Sequence, residues 1–199
     1  MKIIAIGHRL ADLKIACFNT LSKYANNNNE VSLIIVENTK NWKEKNAVNY
    51  IESFKKNGIS KIYFVETFDF SKVTQDNVKV LRLIIEKIAP SLAIMPFNRA
   101  LDKKNKVLAE SSMLACRGIG SILMYETNKN RNFVPCVYCV IKEKTSKKIS
   151  VTVGKKNTDE KVERKTRLLQ KSYARRAGMP EPVEAFESHR LISLNNNWF

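Results

Sequence analysis

Short apolar runs alternate along this chain with longer stretches in which apolar residues recur every three or four positions. Ile3–Gly7 is a continuous apolar run closed by glycine, the pattern of a strand buried on both faces. From Asp12 to about Ala25, the residues Leu13, Ala16, Cys17, Thr20, Leu21 and Tyr24 mark one face of a helix, and Asn26–Asn29 ends it. Val31–Val36 repeats the strand pattern. Trp42–Lys56 predicts a helix with Ala47, Val48, Ile51 and Phe54 on its inner face and Gly58 as its stop. Ile62–Val65 reads as a third strand. Thr74–Ile88 reads as a helix capped by Thr74 and ended by Pro90. Leu92–Met95 is a fourth strand, Lys103–Arg117 a helix stopped by Gly118, and Ile122–Tyr125 a fifth strand.

Strand and helix alternating in this way give βαβ units, which force a parallel sheet with helices on both faces and right-handed crossovers. Ligands bind such a sheet beyond the carboxyl ends of its strands, where the strand order reverses. Two loops therefore carry the interest: Gly7–Asp12 after the first strand, and Pro96–Asp102 after the fourth. Beyond residue 130 the rhythm changes. Phe133–Ile141 and Ile149–Val153 look like strands joined by a charged turn, Asp159 to about Ala177 is a polar helix, and Val183–Leu194 fits either a short helix or a strand. No internal repeat is present.

Composition narrows the function. The chain of 199 residues fits one domain, and 44% hydrophobic residues suffice for a core. No apolar run reaches the roughly 18 residues of a membrane span, and the first residues do not resemble a secretory signal. The expectation is a cytoplasmic protein with no membrane partner. Lys and Arg number 35 against 19 Asp and Glu, a net charge of +16. Residues 142–176 alone hold 13 Lys or Arg against 4 Asp or Glu. That segment could neutralise nucleic-acid phosphates, although Tyr173 is its one aromatic. Trp198 and Phe199 at the end are expected to pack on the body or on a second subunit.

The chemistry-bearing motifs are few. Cys136-Val137-Tyr138-Cys139 is formally C-x-x-C, but it lies in a strand-like run with no second pair and no histidine at zinc spacing, so it reads as structural. Gly7 stands alone after the first strand, which excludes a dinucleotide or P-loop fingerprint. No Gly-x-Ser-x-Gly elbow exists. Of two histidines, His8 lies near the expected cleft and His189 in a charged C-terminal stretch. Asp12 could pair with His8 or cap the first helix.

The order of elements and several residues resemble the LmbE/PIG-L family of zinc-dependent N-deacetylases, which act on N-acetylglucosaminyl compounds. Its first motif, A-H-P-D-D-x-E followed by x-G-C-G-G-T-L, runs parallel to His8–Leu21, with Cys17 and Thr20-Leu21 in register. The second motif, near H-P-D-H, corresponds to Asp102-Lys103-Lys104-Asn105. The helix ending Ala115-Cys116-Arg117-Gly118-Ile119-Gly120, the stretch from Lys45 through Ile59, Phe64 and Asp69, and Glu184-Ala185-Phe186 with Arg190-Leu191 also fit. In this register the family's metal-binding His falls on Arg9, its general-base carboxylate on Ala11, its metal-binding Asp on Asp12 and its Glu on Lys14. The metal-binding His of the second motif falls on Asn105, with Asp102 and Lys104 beside it. A gap of one residue would place His8 at the first lost His and leave Ala11 and Asn105 unchanged.

The resemblance implies an α/β fold: a three-layer αβα sandwich, Rossmann-like, with a mostly parallel sheet of LmbE/PIG-L type. It spans residues 1–199 as one domain, with a basic C-terminal extension, 130–199, packed on it. It implies a protein of amino-sugar or nucleotide-sugar metabolism whose zinc site is lost, since a catalytic zinc needs about three protein ligands. No cofactor and no catalytic residue is assigned. Arg9, Asp12, Asn98, Arg99, Asp102 and Asn105 are expected to line a pocket for an anionic sugar or nucleotide-sugar, with Lys103, Lys104 and Lys14 adding positive charge. Two alternatives stand beside it: an active zinc-dependent amino-sugar deacetylase with unrecognised ligands, and a nucleic-acid- or partner-binding module using residues 142–176. A homo-oligomer stays open.

Overall fold

A computed structural model describes residues 1–37, 44–127, 130, 132–141 and 156–191, with the backbone alone at 44–46 and 156–161. The described strands are β1 (Lys2–Gly7), β2 (Glu30–Ile35), β3 (Lys61–Phe64), β4 (Leu92–Pro96), β5 (Ser121–Tyr125), β6 (Val137–Val140) and β7 (Val183–Arg190). They form one sheet in the order β3-β2-β1-β4-β5-β7-β6. Strands β1 to β5 are parallel, and β7 runs antiparallel between β5 and β6. The helices are α1 (Leu10–Ala16), α2 (Phe18–Asn26), α3 (Glu44–Lys56), α4 (Gln75–Ile88), α5 (Lys103–Ala115) and α6 (Lys156–Ala177).

Alternation along the strands builds two cores. Ile3 and Ala5 face a cluster with Leu13, Phe18, Leu21 and Phe54 of α1 to α3. Ile4 and Ile6 face the opposite cluster, with Leu81, Ile85 and Ile88 of α4 and Leu108 and Ala115 of α5. Both faces of the sheet are covered, which makes the three layers. Gly7 ends β1 where α1 turns back closely; a Cβ there would stand 2.9 Å from Leu13 Cγ.

Three expectations need correction, and one left open is decided. The single helix from Asp12 to Ala25 is two, broken at Cys17 (φ −148°, ψ 13°). The break frees the N–H groups of Asn19 and Thr20, and the buried Glu184 carboxylate of β7 accepts both, at 2.9 and 2.7 Å, together with the Asn19 side-chain amide. Val48 is not on the inner face of α3 but 52% exposed; Tyr50, Ile51 and Phe54 pack inward. Val183–Leu194, readable either way, forms β7 to Arg190. The helix from Lys103 is closed at Cys116, ahead of Gly118. The expected strand Ile149–Val153 and the Trp198-Phe199 end lie outside the described residues. No helix among the described residues is long and apolar enough to cross a membrane.

Strand β7 stitches the layers together. Ser188 pairs with Leu123, whereas Arg190 pairs with Ile122 after a register shift. Leu123 and Ile122 face opposite cores, so this bulge turns Arg190 toward the α4–α5 side. There its guanidinium donates to the carbonyls of Cys116 at 3.3 Å, Arg117 at 3.1 Å and Ile119. Glu184 thus meets the amino end of α2 and Arg190 the carboxyl end of α5, the signs that helix dipoles favour.

Candidate functional site

The sheet order reverses between β1 and β4, so the loops that follow them open the crevice. After β1, Arg9 is the cap residue of α1. The Asp12 carboxylate accepts the Arg9 N–H at 3.1 Å and lies 3.5 Å from the Arg9 guanidinium, whose side chain is half exposed. After β4, Phe97 is buried, Asn98 half-buried and Arg99 exposed. Asp102 caps α5 by accepting the Asn105 N–H at 3.0 Å, and Lys103 and Lys104 follow, exposed, on its first turn. A bridge between Ala100 and Asn130 ties this loop to the one after β5. Below the site, the Tyr125 hydroxyl donates to the Ile6 carbonyl at 3.1 Å, joining β5 to β1 across β4.

His8 shows that the two loops act on one space. Burial holds its pKa below the usual histidine value; Asp12 and Asp102 pull it up, while Arg9 and Lys104 push it down. Charges from the start of α1 and from the start of α5 therefore act on one imidazole, and its lowered pKa favours the neutral form at pH 7.

A third loop contributes what the sequence reading did not assign. After β3 the chain turns back so that Phe70 meets the His8 ring edge-on, with centroids 4.9 Å apart. Phe68 packs against Phe70 at a tilt of 51° with ring centroids 5.0 Å apart, and the Lys104 ammonium lies 5.5 Å from the Phe70 ring centre. Buried Asn77 at the start of α4 holds the loop. It accepts the Asp69 N–H at 3.0 Å and donates to the carbonyls of Asp69 at 2.8 Å and Lys72 at 3.2 Å. Ser71 donates its hydroxyl and its N–H to the Asp69 carboxylate and so lowers its pKa, with Lys72 and Lys103 adding to the effect. The available signal was the pair of phenylalanines directly beyond a strand end, a position that places side chains at the crevice.

Lys14 belongs elsewhere. Its ammonium donates to the Ser53 hydroxyl of α3 and lies 3.3 Å from the centre of the Phe18 ring, on the α1–α3 side of the sheet. The four cysteines are free thiols. Cys17 and Cys116 are buried, with their pKa values pushed up by burial, and Cys136 and Cys139 are not joined. His189 is exposed. Among the described residues no group of three or more His, Cys, Asp or Glu side chains is placed to hold a metal ion.

No family model and no curated protein matches the chain. Solved structures share its fold. A conserved protein of Thermus thermophilus superposes with a TM-score of 0.77 at 10% identity over 97% of both chains. GalB, the 4-carboxy-2-hydroxymuconate hydratase of Pseudomonas putida, gives 0.76 at 10% identity over 98% of both. The N,N'-diacetylchitobiose deacetylase of Pyrococcus horikoshii gives 0.73 at 15% identity over 100% of this chain and 88% of that one. At these identities the likeness establishes the fold, the mixed α/β sandwich of LmbE/PIG-L type.

Proposed function

We propose that the crevice between β1 and β4 binds an anionic sugar or nucleotide-sugar and does not work as a zinc-dependent deacetylase. The observation that carries this reading is the donor set. The carboxylates at the site, Asp12 and Asp102, each serve a helix start, and Asp12 also faces Arg9. The Asp69 carboxylate of the third loop accepts the Ser71 hydroxyl and N–H, His8 is the histidine at the crevice, and among the described residues no three such groups are placed to hold one metal ion. A catalytic zinc takes about three protein ligands and leaves a position for water, and this set does not fit it. When bound, zinc would polarise an amide carbonyl and acidify water; Arg9, Ala11 and Asn105, at the positions where the family carries such chemistry, supply neither ligand nor base.

What the site does carry favours an anion. Arg99 and Lys104 project from one loop and the helix it leads into, Arg9 from the other, and Asn98 and Asn105 add half-buried amides. Charge-assisted hydrogen bonds from such cations contribute about 1.5–3 kcal/mol each. The Phe70 ring between His8 and Lys104 offers an apolar wall for a sugar or base. The neighbouring N,N'-diacetylchitobiose deacetylase and GalB hydratase put different reactions on one fold, so the activity of this chain is read from its side chains.

Calorimetric titration tests the reading with three probes: N-acetylglucosamine, N-acetylglucosamine 6-phosphate and UDP-N-acetylglucosamine. The charged probes are expected to bind and the neutral one not. Arg99→Ala and Lys104→Ala are each expected to weaken binding about tenfold. Zinc-stimulated release of acetate from any of the three would overturn the proposal in favour of a working deacetylase.

A further inference from the structure

We propose that the outer face of α6 is a docking surface for the phosphate backbone of nucleic acid. The helix lies on the body through one stripe: Thr166, Gln170, Tyr173 and Ala174 are buried, at the spacing of a single helix face. The rest of its circumference exposes Arg164, Lys165, Arg167, Lys171, Arg175 and Arg176. At 100° per residue, Arg164, Arg167, Lys171 and Arg175 fall within an arc of roughly 80°, and they rise about 4.5, 6 and 6 Å from one to the next. This row runs roughly 16 Å. A duplex strand presents a phosphate every 3.4 Å or so of its axis, enough to give each of the four a partner.

From Val162 to Ala177 the described side chains of this face are predominantly basic. Glu163, the one acid between Val162 and Ala177, is half-buried and lines a groove with Lys14 and Phe18. Arg164, Arg167, Lys171, Arg175 and Arg176 enter none of the ion pairs found among the described residues. Like charges at three- and four-residue spacing repel, so the row stands at a cost in helix stability that a polyanion relieves. A membrane surface fits less well: Leu168 is the large apolar residue exposed on this face, and the remaining apolar side of the helix is turned into the protein. Stacking on single-stranded bases fits less well too, because Tyr173 is buried and donates its hydroxyl to Glu126. The surface thus matches backbone contacts without base preference. The crevice plays no part in it, so either proposal can fail alone.

The test is fluorescence anisotropy of the full chain with a labelled duplex of mixed sequence, with RNA and DNA in separate arms, between 50 and 200 mM salt. Four phosphate contacts predict a log–log salt slope near −3.6 and an affinity loss of about a hundredfold across that range. Replacing Arg164, Arg167, Lys171 and Arg175 together by Ala is expected to abolish that salt-sensitive binding, and Lys171→Ala alone to reduce the slope by about one. A charge-matched control replaces the exposed Lys55, Lys56, Lys79 and Lys87 of α3 and α4 by Ala and is expected to leave the slope unchanged. The single variant keeps the test readable should the fourfold one lose its far-UV circular dichroism. Absence of salt-sensitive binding in both arms overturns the proposal. So does an equal loss in the control, which would reduce the effect to bulk positive charge, and so does binding to phosphatidylserine vesicles with none to the duplexes.

Discussion

His8 is held neutral by burial against the pull of two carboxylates, so its titration reports on the crevice directly. With two histidines in the chain, proton NMR resolves it cleanly. Its midpoint is expected below the ordinary value of about 6.5. Asp12→Asn removes the larger upward pull and is expected to lower the midpoint further. Glu184 makes the opposite case. Burial favours its protonated form, so its folded pKa lies above the ordinary 4.5. The folded chain therefore holds that proton more tightly than the unfolded one. The contribution is full below 4.5 and is lost as pH rises through the folded value. Glu184→Gln removes the titration and keeps an acceptor. In urea unfolding between pH 4 and 8, the stability of the natural chain relative to this variant is expected to fall as pH rises. At this scale the sequence placed Asp102 at the start of its helix, because helix starts have local signatures, but it began the first helix at Asp12, where the structure has Arg9 as the cap residue and Asp12 in the first turn. It could not place Lys14, whose direction depends on Ser53 and Phe18 around the first helix, nor Glu184, whose partners lie 165 and 164 residues away.

Strands and amphipathic helices follow from local periodicity, and α4, with Thr74 accepting the Asn77 N–H at 3.1 Å, starts where its cap residue says it should. The break between α1 and α2 has no local sign, since the apolar spacing continues through Cys17; it comes from a carboxylate on the last described strand. The loop after β3 is likewise set from outside its own sequence. Asn77→Ala strips three hydrogen bonds from Asp69 and Lys72. With those polar groups left unmatched, a loss of about 1–3 kcal/mol is expected, seen as a drop of roughly 2–4 °C in thermal midpoint per kcal/mol. Because the same loop carries Phe70, this variant is also expected to weaken binding of UDP-N-acetylglucosamine, whereas a destabilising change remote from the crevice, such as Arg190→Met, lowers the midpoint without that loss.

The whole molecule separates what a fold inherits from what a site does. The order β3-β2-β1-β4-β5 puts the crevice where βαβ logic puts it, and solved structures share that layout at 10–15% identity. Chemistry travels less well, because it rests on a few side chains that drift while the core keeps its shape. Metal linkage tests which has happened here. An ion bound only by the folded chain at a thousand times its dissociation constant stabilises it by about 4 kcal/mol, which for this length raises the thermal midpoint by roughly 8–16 °C. With Asp12 accepting the Arg9 N–H and no group of three His, Cys, Asp or Glu placed around a metal among the described residues, midpoints measured in micromolar zinc and in EDTA are expected to coincide, and Asp12→Ala is expected to lower both equally. A zinc-dependent rise of the stated size that Asp12→Ala removes would show that Asp12 serves a metal before it serves the helix, and the anion-binding reading of the crevice would then have to be given up.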